Sequence, residues 1–360
     1  MNLLIHLGGV LTRGMAIWCL LVIGDFSVAQ SAVAAPQTEA PVKQKPAAAK
    51  PANKPRNPAY IDPAKVADPD FALQGEYSGT IKHDPPVKVG VQVVSLGKGK
   101  FQAAGYSGGL PGDGAKDAEP HRVSTGELKD GAVRFDHDDS YAILKDGQIS
   151  VFDSAGGKLG TLKKVERTSP TMGAKPPAVA VVLFDGKDVA AWKDGKITDD
   201  GLLADGATSK KLFGKQKLHL EFRLPYQPLD ALQGRGNSGV YLQSRYEVQV
   251  LDSFGQKPQS KECGGVYGIQ APLVNMCYPP LVWQTYDIDY TPPEFKDGVK
   301  LHNARITVHH NGVLIQKDVE IPRITQSAPV KFDDGKPGPL YLQDHGNPVR
   351  YRNIWIVESE

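Results

Sequence analysis

Residues 341–352 read YLQDHGNPVRYR. The stretch alternates like a strand, halts at His345-Gly346-Asn347-Pro348 and resumes as a second strand that runs into the apolar NIWIV of 353–357. Side chains alternate across a strand. Leu340, Leu342 and Asp344 therefore share one face, and Tyr341, Gln343 and His345 share the other. Gly346 lets the backbone turn sharply, and Pro348 stops the strand from continuing unbroken. In the returning strand Asn353, Trp355 and Val357 alternate with Ile354 and Ile356, so its apolar face can close a core. A strand pair with one apolar and one polar face belongs to an antiparallel sheet packed on one side.

The same two-faced pattern recurs upstream. In LHLEFRL (218–224), Leu218, Leu220, Phe222 and Leu224 lie opposite His219, Glu221 and Arg223. In YEVQVLD (246–252), Tyr246, Val248 and Val250 lie opposite Glu247, Gln249 and Leu251. An ordinary wet face favours Thr, Lys and Ser. These faces carry Glu, Gln, Arg, Tyr and His, the groups that grip hydroxyls, which favours a ligand-binding face over the solvated side of a sheet. About ten strand candidates fill residues 181–360 with no helical period among them, which predicts a two-sheet sandwich of jelly-roll type. His310-Asn311-Gly312 joins two of them through the strongest short hairpin signal, Asn-Gly.

Residues 60–168 carry short apolar runs separated by glycine-bearing turns such as Gly97-Lys98-Gly99 and Lys145-Asp146-Gly147, and read as a smaller all-β domain built from hairpins. Within it GYSGGLPGDGAKDAEPH (105–121) predicts a long exposed loop. SPTMGAKPPAVA (169–180) reads as a linker. Residues 36–58, rich in Pro, Ala and Lys, cannot bury enough surface to offset their ordering entropy and read as a disordered tether. Residues 1–35 read as an export signal: Arg13, an apolar stretch from Met15 to Gly24, then Ser31-Ala32-Val33-Ala34-Ala35. The competing reading, a membrane anchor, is disfavoured because the run is shorter than the roughly 20 residues a span needs. A secreted or periplasmic protein, free of the membrane after cleavage, is expected. Cys19 would leave with the signal, and Cys263 and Cys277 could then pair in an oxidising compartment. Net charge is +2, so no global field points to nucleic acid.

Two loops complete the candidate rim. GRGNSG (234–239) offers three glycines with Arg235 and Asn237, allowing close backbone approach to a ligand or simply a flexible turn. CGGVYGIQAPLVNMCYPP (263–280) brings Tyr267. Trp283 could serve as a platform for a sugar ring or fill the core.

Seven blocks, LFDGKDVAAW, LHLEFRLP, GNSGVYLQSRYEVQVLDS, YGIQAP, WQTYDI, HHNGVLI and GPLYLQDHGNPVRYRNIWI, occur in an order that resembles the 3-keto-disaccharide hydrolase family over residues 180–360. The resemblance implies a concanavalin A-like lectin or glucanase sandwich and an exported hydrolase or lyase acting on the glycosidic bonds of oxidised sugars. The insertion YQPLDALQGR before Asn237 departs from the pattern and lengthens the rim loop. On such a substrate the C3 ketone acidifies the C2 proton; its removal gives an enediolate that expels the glycosidic oxygen, and water adds afterwards. That sequence needs a general base and acid and donors for the developing enolate. His345, Glu247 and Glu221 can supply the first; Arg223, Arg350, Gln249 and Gln343 the second, with Asn237, Tyr267 and Trp283 lining the substrate. A divalent ion would help as a Lewis acid, but no His/Cys/Asp cluster has metal-ligand spacing, so no cofactor is expected. Two other readings remain open: a direct glycoside hydrolase with Glu221 and Glu247 as its carboxylate pair, which needs about 5–9 Å between them, and a non-catalytic carbohydrate-binding module. The expected cleavage site makes a first prediction: N-terminal sequencing of the mature protein reads from Ala35 or Pro36, and a mature chain still starting at Met1 would refute export.

Overall fold

The computed structural model describes residues 57–359. The expected signal over 1–35, Cys19 within it, and nearly all of the tether expected over 36–58 lie outside the described residues. Within them the chain is all-β apart from short 3-10 turns such as Pro63–Lys65 and Pro69–Ala72.

Eight strands succeed one another around a closed antiparallel barrel: β1 (Gly75–Ile81), β2 (Val87–Gly97), β3 (Lys100–Ser107), β4 (Arg122–Lys129), β5 (Ala132–His137), β6 (Ser140–Lys145), β7 (Gln148–Asp153) and β8 (Lys158–Val165), with β8 returning to β1. The hairpins read from the sequence thus close on themselves, and closure removes the edge strands that an open meander would expose. Tight turns use the chemistry they require. Asp130-Gly131 and Asp146-Gly147 hold positive φ at both positions, as Asn311-Gly312 does farther on. Segment 105–121 is in part the expected exposed loop, with most of 112–121 exposed, but its start is not. Its first three residues finish β3, and Leu110 is fully buried. A Cβ at Gly112 would lie 2.5 Å from Met276 Sδ, so this loop is pressed against the second half of the chain.

The second half adds β9 (Val181–Phe184), β10 (Trp192–Lys193), β11 (Leu203–Ala204), β12 (Thr208–Phe213), β13 (Gln216–Arg223), β14 (Ser238–Leu242), β15 (Tyr246–Val250), β16 (Trp283–Thr291), β17 (Glu294–Lys296), β18 (Val299–His302), β19 (Ala304–His310), β20 (Val313–Ile321), β21 (Gly338–Leu342) and β22 (Arg350–Glu358). They form two main sheets. Sheet I has the order β10-β12-β21-β14-β15. Sheet II has the order β11-β22-β13-β16-β19-β20, with β9 also paired to β22, and β17 and β18 make a separate hairpin. Residues 266–270, within the rim loop, join sheet I through a single bridge between Val266 and Val248.

The alternation read from the sequence decides what faces inward. Leu218, Leu220 and Phe222 of sheet II and Val240, Leu242, Val248 and Val250 of sheet I belong to one buried core, with Leu340, Leu342, Ile354 and Ile356. Val94, pointing out of the barrel wall, joins the same core. The insertion at 226–235 serves this junction: the Tyr226 hydroxyl bonds Asp68 and Ser95, and Arg235 Nη1 donates to the Ser95 carbonyl. Cys263 and Cys277 are both free, buried thiols.

The segment 169–174 runs as a strap across the outer face of sheet II. Ser169 Oγ lies 2.6 Å from Thr285 Oγ1, Thr171 Oγ1 donates to Asp287 Oδ2 at 2.7 Å, and Gly173 N donates to Glu221 Oε1 at 2.6 Å. Asn353 Nδ2 bridges the Ala174 carbonyl and Glu221 Oε1, and Arg352 Nε bonds Glu221 Oε2 at 2.6 Å. Buried His219 pairs with Asp287 at 2.6 Å and stacks on Trp355. Burial pushes the Glu221 carboxyl up, but His219, Asn353, Arg352 and Gly173 outweigh it and hold it down at about 2.

Glu221 is therefore a fastening and not a free carboxylate. Removing one partner of a buried pair costs about 3–5 kcal/mol, so Glu221→Ala should lose stability on that scale in denaturant titration at pH 7. The pH dependence has a definite sign. A carboxyl depressed to about 2 contributes stability above its ordinary pKa of 4.5 and loses it as pH falls from there towards 2. Glu221→Gln should accordingly flatten the stability–pH curve in that window; an unchanged curve would show that the strap is not held by this charge.

Candidate active site

The outer face of sheet I gathers several buried polar and ionisable groups. β14 lies between β15 and β21, with Tyr241 opposite Glu247 on one side and Tyr341 on the other. Paired residues point to the same face, so the register sets a row of two phenols and a carboxyl across three strands. The Tyr241 hydroxyl donates to Glu247 Oε2 at 2.6 Å, and Gln343 Nε2 donates to the Tyr241 oxygen at 3.2 Å. Gln343 is itself fixed by the backbone: its N–H bonds the Gly239 carbonyl and its carbonyl accepts from Ser238 Oγ at 2.6 Å. Gly239 is required here. A Cβ at that position would come within 2.4 Å of Glu247 Oε1. No hydrogen bond from the described residues reaches that oxygen.

Glu247 is 2 % exposed. Burial raises its pKa to about 8, against a smaller lowering by the Tyr241 hydrogen bond. A carboxyl poised there exchanges protons near neutrality, as proton-transfer catalysts must. The phenol of Tyr241 is pushed far up by burial and then by Glu247, so it stays a donor. Tyr267 borders the same carboxyl. Its N–H bonds the Glu247 carbonyl, and its own hydroxyl is pushed up by burial and by the Glu247 charge. On the other side of Tyr341 stand Asp205 and Asp344. Burial, then the neighbouring Asp344, pushes Asp205 up to about 7, with Arg350 pulling the other way. The face therefore has a perturbed carboxyl on each side of the Tyr241–Tyr341 pair, whose rings lie 5.7 Å apart.

The expected site residues divide between two faces. Glu247, Gln249, Asn237, Tyr267 and Gln343 gather on or beside the outer face of sheet I. Gln249 and Asn237 mainly brace the rim: Gln249 Nε2 bonds Gln233 Oε1, and Asn237 Nδ2 bonds the Gln233 carbonyl. Glu221, Arg223 and Trp283 belong to sheet II and face the opposite way. Arg223 pairs with Asp200, and the Trp283 ring lies under the guanidiniums of Arg352, at 3.9 Å, and Arg223, at 5.0 Å. Trp283 is thus neither a core tryptophan nor a platform beside Glu247. The Glu221–Glu247 carboxylate pair does not form, because the hydrophobic core of both sheets lies between the two side chains. Arg350 opens β22 between β11 and β13 of sheet II and acts on Asp205. His345 is exposed on the connection between β21 and β22, within the turn in which Gly346 N bonds Asp344 Oδ1; among the described residues no hydrogen bond or ion pair holds its ring.

Tyr241 and Asp205 were missed in the sequence. Tyr241 sits in GVYLQ, which reads as an ordinary apolar strand, and the facing of Asp205 depends on β11 ending at Ala204. The alternation of Tyr241 with Val240 and Leu242 was the available signal for the first.

Residues 179–357 match the family described as the 3-keto-alpha-glucoside-1,2-lyase-like domain. Among solved structures, a candidate glycosyl hydrolase from Parabacteroides distasonis shares 35% identity, covering 51% of this chain and 85% of its own, with a TM-score of 0.47. A second candidate glycosyl hydrolase from the same organism shares 19% identity over 50% of this chain and 94% of its own, with a TM-score of 0.36. No curated protein matches the chain. The family match and the seven ordered blocks coincide over the whole sandwich, and residues 179–357 belong to the 3-keto-alpha-glucoside-1,2-lyase-like domain family.

Proposed function

We propose that the protein is an exported carbohydrate-active enzyme that cleaves the glycosidic bond of 3-keto-glycosides on the outer face of β14, β15 and β21. The observation that carries this reading is the Gln343–Tyr241–Glu247 file, in which a buried carboxyl raised to about 8 keeps one oxygen free of protein donors. The family to which the sandwich belongs supports the substrate class. We read the two sheets as the jelly-roll, concanavalin A-like arrangement, with sugar reaching the outer face of sheet I from the side of the partly exposed Tyr341 and Gln343, and the outer face of sheet II covered by the strap.

In this mechanism Glu247 Oε1 takes the C2 proton of the bound 3-keto sugar. The C2–H electron pair becomes the C2–C3 double bond of an enediolate, and the C3 oxygen gains the charge. Gln343 and the flanking phenols donate towards that oxygen. Collapse of the enediolate restores the C3 ketone, forms a C1–C2 double bond and expels the glycosidic oxygen, which takes a proton from Asp205. Water then adds across C1–C2 and returns a proton to C2. A carboxylate raised to about 8 is a stronger base than an ordinary one, which suits a carbon acid.

The test is aglycone release from matched glucosides and their 3-keto derivatives. Cleavage of the 3-keto compound alone is expected, and release from neither would leave only a binding function. As a base, Glu247 should make kcat/KM rise with pH through an inflection near 8. Glu247→Gln should abolish that inflection and cost at least about 100-fold in turnover. Activity that falls across the same window would assign Glu247 the acid's role instead. His345→Ala, on an unfixed rim residue, should lose well under the roughly 100-fold expected of a general base; a full loss without unfolding would return the base to His345.

A further inference from the structure

The barrel of β1–β8 is filled at one end only. Tyr77, Val93, Phe101, Val133, Leu144 and Leu162, all fully buried, pack one end into a floor. Towards the other end the inward positions become small. The ladder sets Ala103 opposite Ser124, Gly105 opposite Arg122 and Val151 opposite Gly160. The space left is a cavity of about 790 Å³, with Phe135 and Ile149 at its base and Val89, Val91, Ala103 and Ala142 along its walls. Those four wall residues face inward yet are only partly buried, so the cavity opens to solvent. Its size falls within the roughly 300–1,000 Å³ of small-molecule sites, and eight-stranded barrels are wide enough to hold one small ligand.

The mouth has a different character. Lys82, His83, His121, Arg122 and His137 line it with Asp139, and His121 pairs with Asp117 at its rim. Beside it the wall is weakly closed. β4 and β5 share only the pairs Leu128–Val133 and Lys129–Ala132 next to their turn. Beyond those pairs side chains bridge the seam. Ser124 Oγ donates to the Asp136 carbonyl, and the Arg122 guanidinium grips Asp139 through both oxygens and Ser140 Oγ at 2.6 Å. A carboxylate arriving at the mouth would meet a guanidinium whose fork geometry suits it and whose present partner is exposed.

We propose that the barrel is a binding site for a small amphiphile with an apolar body and one carboxylate end, the body in the cavity and the carboxylate on Arg122. The site lies outside residues 179–357 and does not depend on the reaction assigned to the sandwich.

Calorimetric titration of the whole mature protein with sodium decanoate, decanol and decylamine tests it. Decanoate should bind one to one and at least tenfold more tightly than decylamine. From octanoate to decanoate affinity should rise about fourfold per methylene, as burial of each group predicts. Ala103→Leu and Ala142→Leu, on two walls of the cavity, should each weaken decanoate at least tenfold with the melting temperature little changed. Arg122→Gln, at an exposed position, should erase the preference for decanoate over decanol. If one filling variant fails to fold, the other and Arg122→Gln carry the test. Absence of saturable decanoate binding, or binding that ignores both filling variants, would overturn the site. Equal affinity for decanoate and decanol in the unmutated protein would overturn its anionic end.

Discussion

The carboxyl of Glu221 fastens the strap that covers one outer face of the sandwich. A sandwich of two sheets has one dry interior and two outer faces, and both faces here carry long polar side chains. On sheet II those side chains are used up. Glu221 holds the backbone of Gly173 and the side chains of Arg352 and Asn353, and Asp287 holds Thr171 and His219. The strap that results ties the C-terminal end of the barrel to the sandwich and excludes solvent from His219 and Glu221. On the outer face of sheet I, Tyr241, Glu247 and Gln249 are also almost wholly covered, and partial exposure returns at Tyr341 and Gln343 of β21. A charge buried with several donors is held for geometry as much as for stability, since a well-packed apolar group in its place is often no less stable.

Glu247 presents the opposite electrostatic solution. It has one phenol as partner and is pushed up to about 8 by burial, so the folded state binds its proton more tightly than the unfolded chain does. The sign follows from linkage: between about 4.5 and 8 the contribution of this group to stability declines as pH rises, by on the order of a few kcal/mol once it is ionised. A chain selected only for stability would not keep such a group beside Gly239, a position where any side chain would collide with it. Glu221 and Glu247 occupy equivalent places in their own strands, each flanked by core residues, yet one is held near 2 and the other near 8. Burial raises both, but at Glu221 four donors outweigh it, whereas at Glu247 deeper burial meets a single opposing bond from Tyr241.

That difference also marks where the sequence stops being legible. Period-two alternation revealed the strands, the inward set Leu218, Leu220 and Phe222, and the outward set His219, Glu221 and Arg223. It could not say that β13 and β15 lie in different sheets, because sheet membership is fixed by long-range pairing of β13 with β16 and β22 and of β15 with β14. Glu221 and Glu247 therefore looked like partners. Segment 169–174 looked like a loose connection because its composition, Ser-Pro-Thr-Met-Gly-Ala, carries no core residue; its order comes from polar groups on another element. The barrel's hairpins were visible through their Gly turns, while its closure depends on β8 meeting β1, a contact between residues roughly ninety positions apart.

The barrel interior carries a last physical contrast. Its packed end shows that this sequence can fill a small barrel with Tyr, Phe, Leu and Val to full burial. At the other end the inward positions hold Gly79, Ala103, Gly105, Ala142 and Gly160, and a larger apolar residue at any of several of them would recover hydrophobic free energy at about 0.8 kcal/mol per methylene buried. The glycines have two causes that can be separated. At Gly79 and Gly160 a Cβ would lie within 3 Å of the neighbouring strand's backbone, so close strand packing explains them. At Gly105 the nearest atoms are 3.7 Å away, and at Ala103 and Ala142 a Cβ is already present, so crowding does not force small residues there. The open volume at those positions is a feature of the side chains chosen and not of the backbone, and a domain of this size forgoes that much apolar burial where the space is used for something else.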